Sequence, residues 1–208
     1  MSVRISKGFS DAERPIVAAL FWQAFRLKLG IVLGPDKKAL KFFESIVSPE
    51  FALTARSADG QLLGLAGFKT QAGTFSGGTF SDLRNVYGWF GALWRGALVE
   101  VLERKLQPGV FQMDGIFVEE SARGQGIGSR LLTAIAEHAI AQGASEVQLD
   151  VIDINPRARA LYERVGFRPI GTEETGPFRY VFGFRSSTRM SLAISPKEGS
   201  VEGPGYTP

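Results

Sequence analysis

Residues 123–128 read Arg-Gly-Gln-Gly-Ile-Gly and stand between an apolar run, Phe111–Val118, and an amphipathic one that ends at Gly143. Glycines at alternate positions let a backbone approach a ligand closely and turn sharply into a helix. The N–H groups of such a turn, with those of the first helical turn, have no partners of their own and converge on one point that favours an anion. Arg123 adds a full positive charge there. The chemistry this suits is the holding of a diphosphate. Two common phosphate motifs can be set against it. A phosphate loop needs Lys followed by Ser or Thr after its last glycine, where this chain has Ser129-Arg130. The dinucleotide fingerprint needs Gly or Ala one place beyond Gly128, and Ser129 stands there, although Asp150 ends the next strand where a ribose-binding acid would sit. Dinucleotide binding therefore stays a minor alternative.

The turn needs elements to hold it. Phe111–Val118 reads as a strand, Ser129–Gly143 as a helix, Glu146–Ile152 as a second strand and Pro156–Phe167 as a second helix. Such a βαβα unit makes at least part of the sheet parallel and covers it with helices. Upstream, Ser2–Phe9 reads as a short strand. Ser10 or Asp11 caps a helix to about Leu29, and Asp36 opens a shorter one stopped by Pro49. Phe51–Ser57 and Leu62–Thr70 flank Asp59-Gly60, a hairpin signal. After the glycine-rich stretch Gly73–Gly78, a run of Leu83, Val86, Tyr87, Phe90, Trp94, Ala97, Leu98, Val101 and Leu102 recurs at helical spacing and predicts one apolar face. Gly88, Gly91 and Gly96 within it read as close-packing points. Arg168–Glu173 and Arg179–Ile194 read as two closing strands, and residues 196–208 as a frayed tail.

One strand–helix unit beyond the glycine turn come Asn155-Pro156, Ala158, Leu161-Tyr162 and Gly166-Phe167. Arg123-x-x-Gly126-x-Gly128 joined to N-x-x-A-x-x-x-Y-x-x-x-G-F at this distance resembles the GNAT superfamily of acetyl-coenzyme A-dependent acetyltransferases, over about Phe111 to Gly171. The resemblance implies an α/β fold over residues 1–195, with a mixed, mostly antiparallel central sheet of about seven strands and helices on both faces. Residues 73–108 are then a helical insertion. It implies N-acetyl transfer from acetyl-CoA, the cosubstrate, to a primary amine by direct attack, without a metal. Arg123, Gly124, Gln125, Gly126, Ile127, Gly128 and Ser129 would form the pyrophosphate loop. The strand end Ile116-Phe117-Val118 would splay from its neighbour and pair through its backbone with the pantetheine arm, and Asn155 would bind that arm near the opening. Tyr162 would protonate the leaving thiolate, a duty that suits a phenol of ordinary pKa about 10, protonated at neutral pH.

An amine acceptor must also lose a proton. Asp114 is the first candidate base, since alternation along its strand puts it on the face of Ile116 and Val118. Glu119 and Glu120 read as a solvated turn, and the arginines of the second helix as its solvated face. His138 lies ten residues past Gly128, roughly 15 Å along the helix and too far from the phosphate end to serve.

Composition closes off other classes. Of 208 residues, 44% are hydrophobic and 22% charged, which is globular rather than disordered. Lys and Arg number 24 against 21 Asp and Glu, a net charge of only +3 without a polybasic run, so no nucleic-acid partner is expected. Without cysteine there is no thiol nucleophile or thiolate metal site, and a single histidine excludes a multi-histidine one. The polar N-terminus and the lack of about 18 uninterrupted apolar residues lead to the expectation of no membrane span and a cytoplasmic protein. The aromatic insertion is expected to pack on the domain, on a second copy in a homodimer, or as a lid over an apolar acceptor. No acidic patch marks a polyamine site, and the acceptor, a small molecule or a peptide amine, is left open. A non-catalytic acyl-CoA sensor module is the alternative reading.

Overall fold

The structure, a computed structural model, describes residues 3–101 and 106–195. The chain opens with strand β1 (Arg4–Lys7) and a capping box, in which Ser10 and Glu13 satisfy each other's backbone ends. A single 3-10 turn leads into helix α1 (Arg14–Leu33), which runs four residues beyond the predicted end at Leu29. Helix α2 (Asp36–Ile46) folds back on it; Trp22 Nε1 donates to Asp36 Oδ1 at 3.1 Å, and Arg26 pairs with the same carboxylate at 3.2 Å. The hairpin of β2 (Ala52–Arg56) and β3 (Leu62–Thr70) follows, turning at Asp59-Gly60. The two-residue strand β4 (Gly73–Thr74) then pairs with the end of β3.

Helix α3 (Phe80–Val101) departs from the predicted single apolar face. Gly88 has φ 73° and ψ 173°, a region open essentially to glycine alone, and breaks the helix there. Leu83 and Tyr87 before the break are buried, while Phe90 beyond it is 84% exposed and Trp94 43%. Gly88 is thus a break in direction rather than a packing point, for nothing lies within 4 Å of where its Cβ would stand. Leu102 and the expected tail fall outside the described residues.

Strand β5 (Val110–Val118), helix α4 (Ile127–Ala141), strand β6 (Glu146–Ile152) and helix α5 (Pro156–Val165) form the βαβα unit. Strand β7 (Arg168–Glu174) follows. The last predicted strand is shorter at its start, because Arg179–Phe182 forms one helical turn, α6, which buries Phe182 before β8 (Ser186–Ala193) begins. The eight-stranded sheet runs β1-β2-β3-β5-β6-β8-β7, with β4 beside β3, and β5–β6 is its one parallel pair.

Each face of the sheet carries a core. Phe68, Phe111, Met113, Leu149, Val151 and Met190 meet α4 through Ile127, Leu131 and Ile135, and α5 through Tyr162. On the other face Phe21, Trp22, Phe43, Phe75, Tyr87 and Phe117 pack beneath α1, α2 and α3. By length and composition Asp11–Leu33 could cross a bilayer, contrary to the sequence expectation, yet Val17, Ala18, Phe21 and Trp22 are buried in this second core while Ile16, Leu27 and Ile31 are exposed. His138 sits near the end of α4 against the rings of Phe68 and Phe111.

Candidate active site

Strands β5 and β6 pair only through Val110–Gln112 and Glu146–Gln148. Beyond Gln112 the two part, and helix α1 leans into the opening. Phe25 lies so close to Gly115 that a Cβ there would stand 2.4 Å from its Cζ, so any larger residue would have to displace the ring. On its other side β5 stays paired with β3 to Val118, and Glu119 N–H donates to Leu63 O at 2.8 Å. Because backbone groups alternate sides along an antiparallel strand, Phe117 points its N–H and C=O at β3, whereas Ile116 and Val118 point theirs into the opening. Of the three residues expected to pair with a ligand arm, Phe117 is therefore turned the other way.

The glycine turn stands at the mouth of this opening, since both parallel strands end there. Gly124 and Gly126 have φ of 78° and 77°, which a side chain at either position would strain; Gly126 is the N-cap of α4. Arg130 N–H is the first in the helix to find an acceptor, on Gly126 O at 3.1 Å. Among the described residues the N–H groups of Gly124 through Ser129 make no backbone hydrogen bond, the expected state of a helix start. Ile127 anchors the turn in the core at 1% exposure, and Gly128 lets Leu161 of α5 come against the first helical turn. Gln125 Nε2 donates to Ser121 O at 3.3 Å, and Arg123 Nε to Val118 O at 3.1 Å. The arginine thus folds the loop back onto the end of β5 and occupies one carbonyl of the opening.

Asn155 caps α5 beyond the end of β6, its Oδ1 accepting from Ala158 N–H at 3.2 Å. Tyr162, about two turns further on, is buried at 6% exposure beside Phe167, and burial alone pushes its phenol well above the ordinary range.

Asp114 is placed differently from its expectation. A bulge in the β3–β5 ladder sets Gly67 opposite Gly115 and Phe68 opposite Met113, so Asp114 is the extra residue and alternation fails there. Ile116 and Val118 pack toward the α4 core, while the Asp114 carboxylate turns to the end of β4 and the residues just after it. Thr74 Oγ1 donates to its Oδ2 at 2.5 Å and Ser76 N–H at 3.3 Å. Burial pushes this carboxyl above the usual range despite the downward pull of those donors and of Lys69. Nothing in the sequence around Thr74 and Ser76 marks them as partners of Asp114.

Residues 17–167 match the Acetyltransferase (GNAT) family. The chain belongs to that family. It is 37% identical over 81 residues to the thialysine N-epsilon-acetyltransferase of Bos taurus, a match covering 39% of this chain and 46% of the relative, so less than half of that protein's length is spanned. Among solved structures, an N-acetyltransferase from Staphylococcus aureus superposes with a TM-score of 0.61 at 16% identity, over 91% of this chain and all of the other. The yncA protein of Salmonella typhimurium, solved with its cofactor acetyl-CoA, gives 0.57 at 12% identity over 97% and 99%.

Acetyl-CoA is the cosubstrate of GNAT enzymes, and this chain has what such a molecule needs. Its diphosphate requires clustered N–H donors at a positive helix end, which Gly124–Ser129 offer. Its extended arm requires an open strand edge, which Ile116 and Val118 offer. Across the sheet from α4, the GNAT domain has a second concavity, of about 370 Å³, reached by Asp150 of β6, Lys28 of α1, Glu173 and Glu174 of β7, and Phe178 and Phe184 of the β7–β8 connection. These acids were not seen as a group in the sequence. The available signal was Asp150 itself, a charge within the apolar strand Val147–Ile152, alternating with the buried Leu149 and Val151.

Proposed function

We propose that this GNAT protein transfers the acetyl group of acetyl-CoA to a primary amine by direct attack. The observation that carries this is the pairing of a donor-rich glycine turn with a parted strand edge at the same end of β5 and β6. Bound acetyl-CoA supplies an acetyl carbon activated as a thioester. The chain's own residues bind and move protons. Gly124 to Ser129 hold the diphosphate by their N–H groups, and the α4 dipole adds to this. Ile116 and Val118 align the arm as an added strand would be aligned, with the Asn155 amide at the opening.

Asp114 takes the proton from the acceptor ammonium, and its raised pKa makes it a stronger base than an ordinary aspartate. Tyr162 returns a proton to the departing sulfur, and its raised pKa keeps that proton in place at neutral pH. A new N–C bond forms as the C–S bond breaks, and the second proton that the nitrogen sheds in becoming an amide replaces the one Tyr162 gave. The name of the bovine relative, which acts on an amine, supports the catalytic reading over a sensor module.

Calorimetric titration with acetyl-CoA tests it, repeated on Gly126→Glu, which adds both strain at a positive φ and a negative charge. Saturable binding that the variant loses, together with thiol release on adding amines, is the expected result. Binding without thiol release from any amine would leave the sensor module, and a folded protein that binds nothing would overturn both.

A further inference from the structure

The concavity opposite α4 bears on what the acceptor is. Strand β6 alternates: Leu149 and Val151 enter the core beneath α4 and α5, so Asp150 projects from the other face. Asp150 lies two residues past Gln148, the last β6 residue paired with β5, and hence beside the opening. Three carboxylates and one ammonium line the cavity, and with the Arg189 guanidinium beside them the local charge is −1. Arg189 of β8, opposite Asp150 in register, lies 3.8 Å from Asp150 and 3.1 Å from Glu173, so one guanidinium spans two carboxylates. Phe178 and Phe184 add aromatic wall, suited to a methylene chain and to a cation over a ring face. The volume is within the span of small-molecule pockets, roughly 300–1,000 Å³.

We propose that this cavity seats the acceptor, and that the acceptor is a small diamine. One amine enters the opening between β5 and β6, and the second, as an ammonium, is held by Asp150 and Glu173. The inference rests on the acetyltransferase reading for the fate of the first amine, but its binding content does not. A monoamine of the same length fills the same aromatic walls and forgoes the charged contact. A hydrogen bond to a charged group is worth about tenfold or more in affinity.

The test is calorimetry with 1,5-diaminopentane and with pentylamine, each in the presence of coenzyme A, which cannot react. The diamine is expected to bind at least about tenfold more tightly than pentylamine. Glu173→Gln, at an exposed position, is expected to remove about threefold to fivefold of that margin, and Asp150→Asn most of it. Coenzyme A titration of each variant shows that it is folded. Equal binding of the two amines, or a diamine affinity that neither substitution changes, overturns the proposal. Thiol release from acetyl-CoA, measured in parallel, judges the enzyme reading separately: diamine binding that both variants weaken upholds the cavity assignment even if no amine releases thiol.

Discussion

Burial raises the pKa of both Asp114 and Tyr162, but the roles proposed for them need opposite protonation states. Asp114 must be ionised to accept a proton, so kcat/KM is expected to fall as pH drops through its raised pKa, at a higher pH than an ordinary aspartate would set. Asp114→Asn should lower turnover and abolish this acid limb; a limb of unchanged position would remove Asp114 as the base. Tyr162 must keep its proton, and because its pKa is raised, its ionisation should cause no alkaline loss of rate up to about pH 10. Tyr162→Phe is expected to reduce kcat by about 100-fold with acetyl-CoA affinity nearly intact by calorimetry, while an unchanged kcat would reject the acid role. Some residues announce themselves because backbone does the binding. The turn proposed to hold an anion by its N–H groups has glycines at 124, 126 and 128, which any reading of the chain meets. Side-chain groups assembled by pairing leave no such mark: Asp150, Glu173 and Arg189 are far apart in sequence and adjacent only because β8 lies between β6 and β7.

Among the elements, the βαβα unit and the β2–β3 hairpin were legible from apolar runs, Asp59-Gly60 and the Gly143 stop. Helix α3 was not, because a period of apolar residues says nothing of a φ of 73° in its middle. Gly88→Ala is expected to cost about 1–3 kcal/mol, read as a lowered Tm, since the position is strained for any Cβ although nothing crowds it. Were Gly88 in an ordinary helical conformation, alanine would be neutral or stabilising in so open a place. A second element-scale contact ties the start of α1 to β2. Arg56 donates through Nη1 and Nη2 to both oxygens of Glu13, and the Glu13 pKa falls to about 2 from 4.5. A depressed folded pKa stabilises above the unfolded value and is lost as pH falls through the folded one. Stability from this pair should therefore decline between about pH 4.5 and 2, and Glu13→Gln should flatten that part of a pH–Tm curve.

At the scale of the whole molecule, one sheet carries two cores and, on the readings proposed above, two ligand faces. Helices α4 and α5 back the donor-rich turn, while α1, α2 and α3 close the opposite side, where Trp89, Phe90 and Leu93 remain exposed. Continuous pairing of β5 with β6 would seal one face from the other. Their parting after Gln112 has a consequence in time as well as in space. The amides of Ile116 and Val118 belong to the middle of the sheet yet lack a strand partner on the side they face, so they should exchange deuterium quickly while Phe117, bonded to β3 between them, exchanges slowly. Acetyl-CoA should slow the fast pair and leave Phe117 as it was. That alternating pattern, read amide by amide, would time the arrival of a strand the chain itself does not encode.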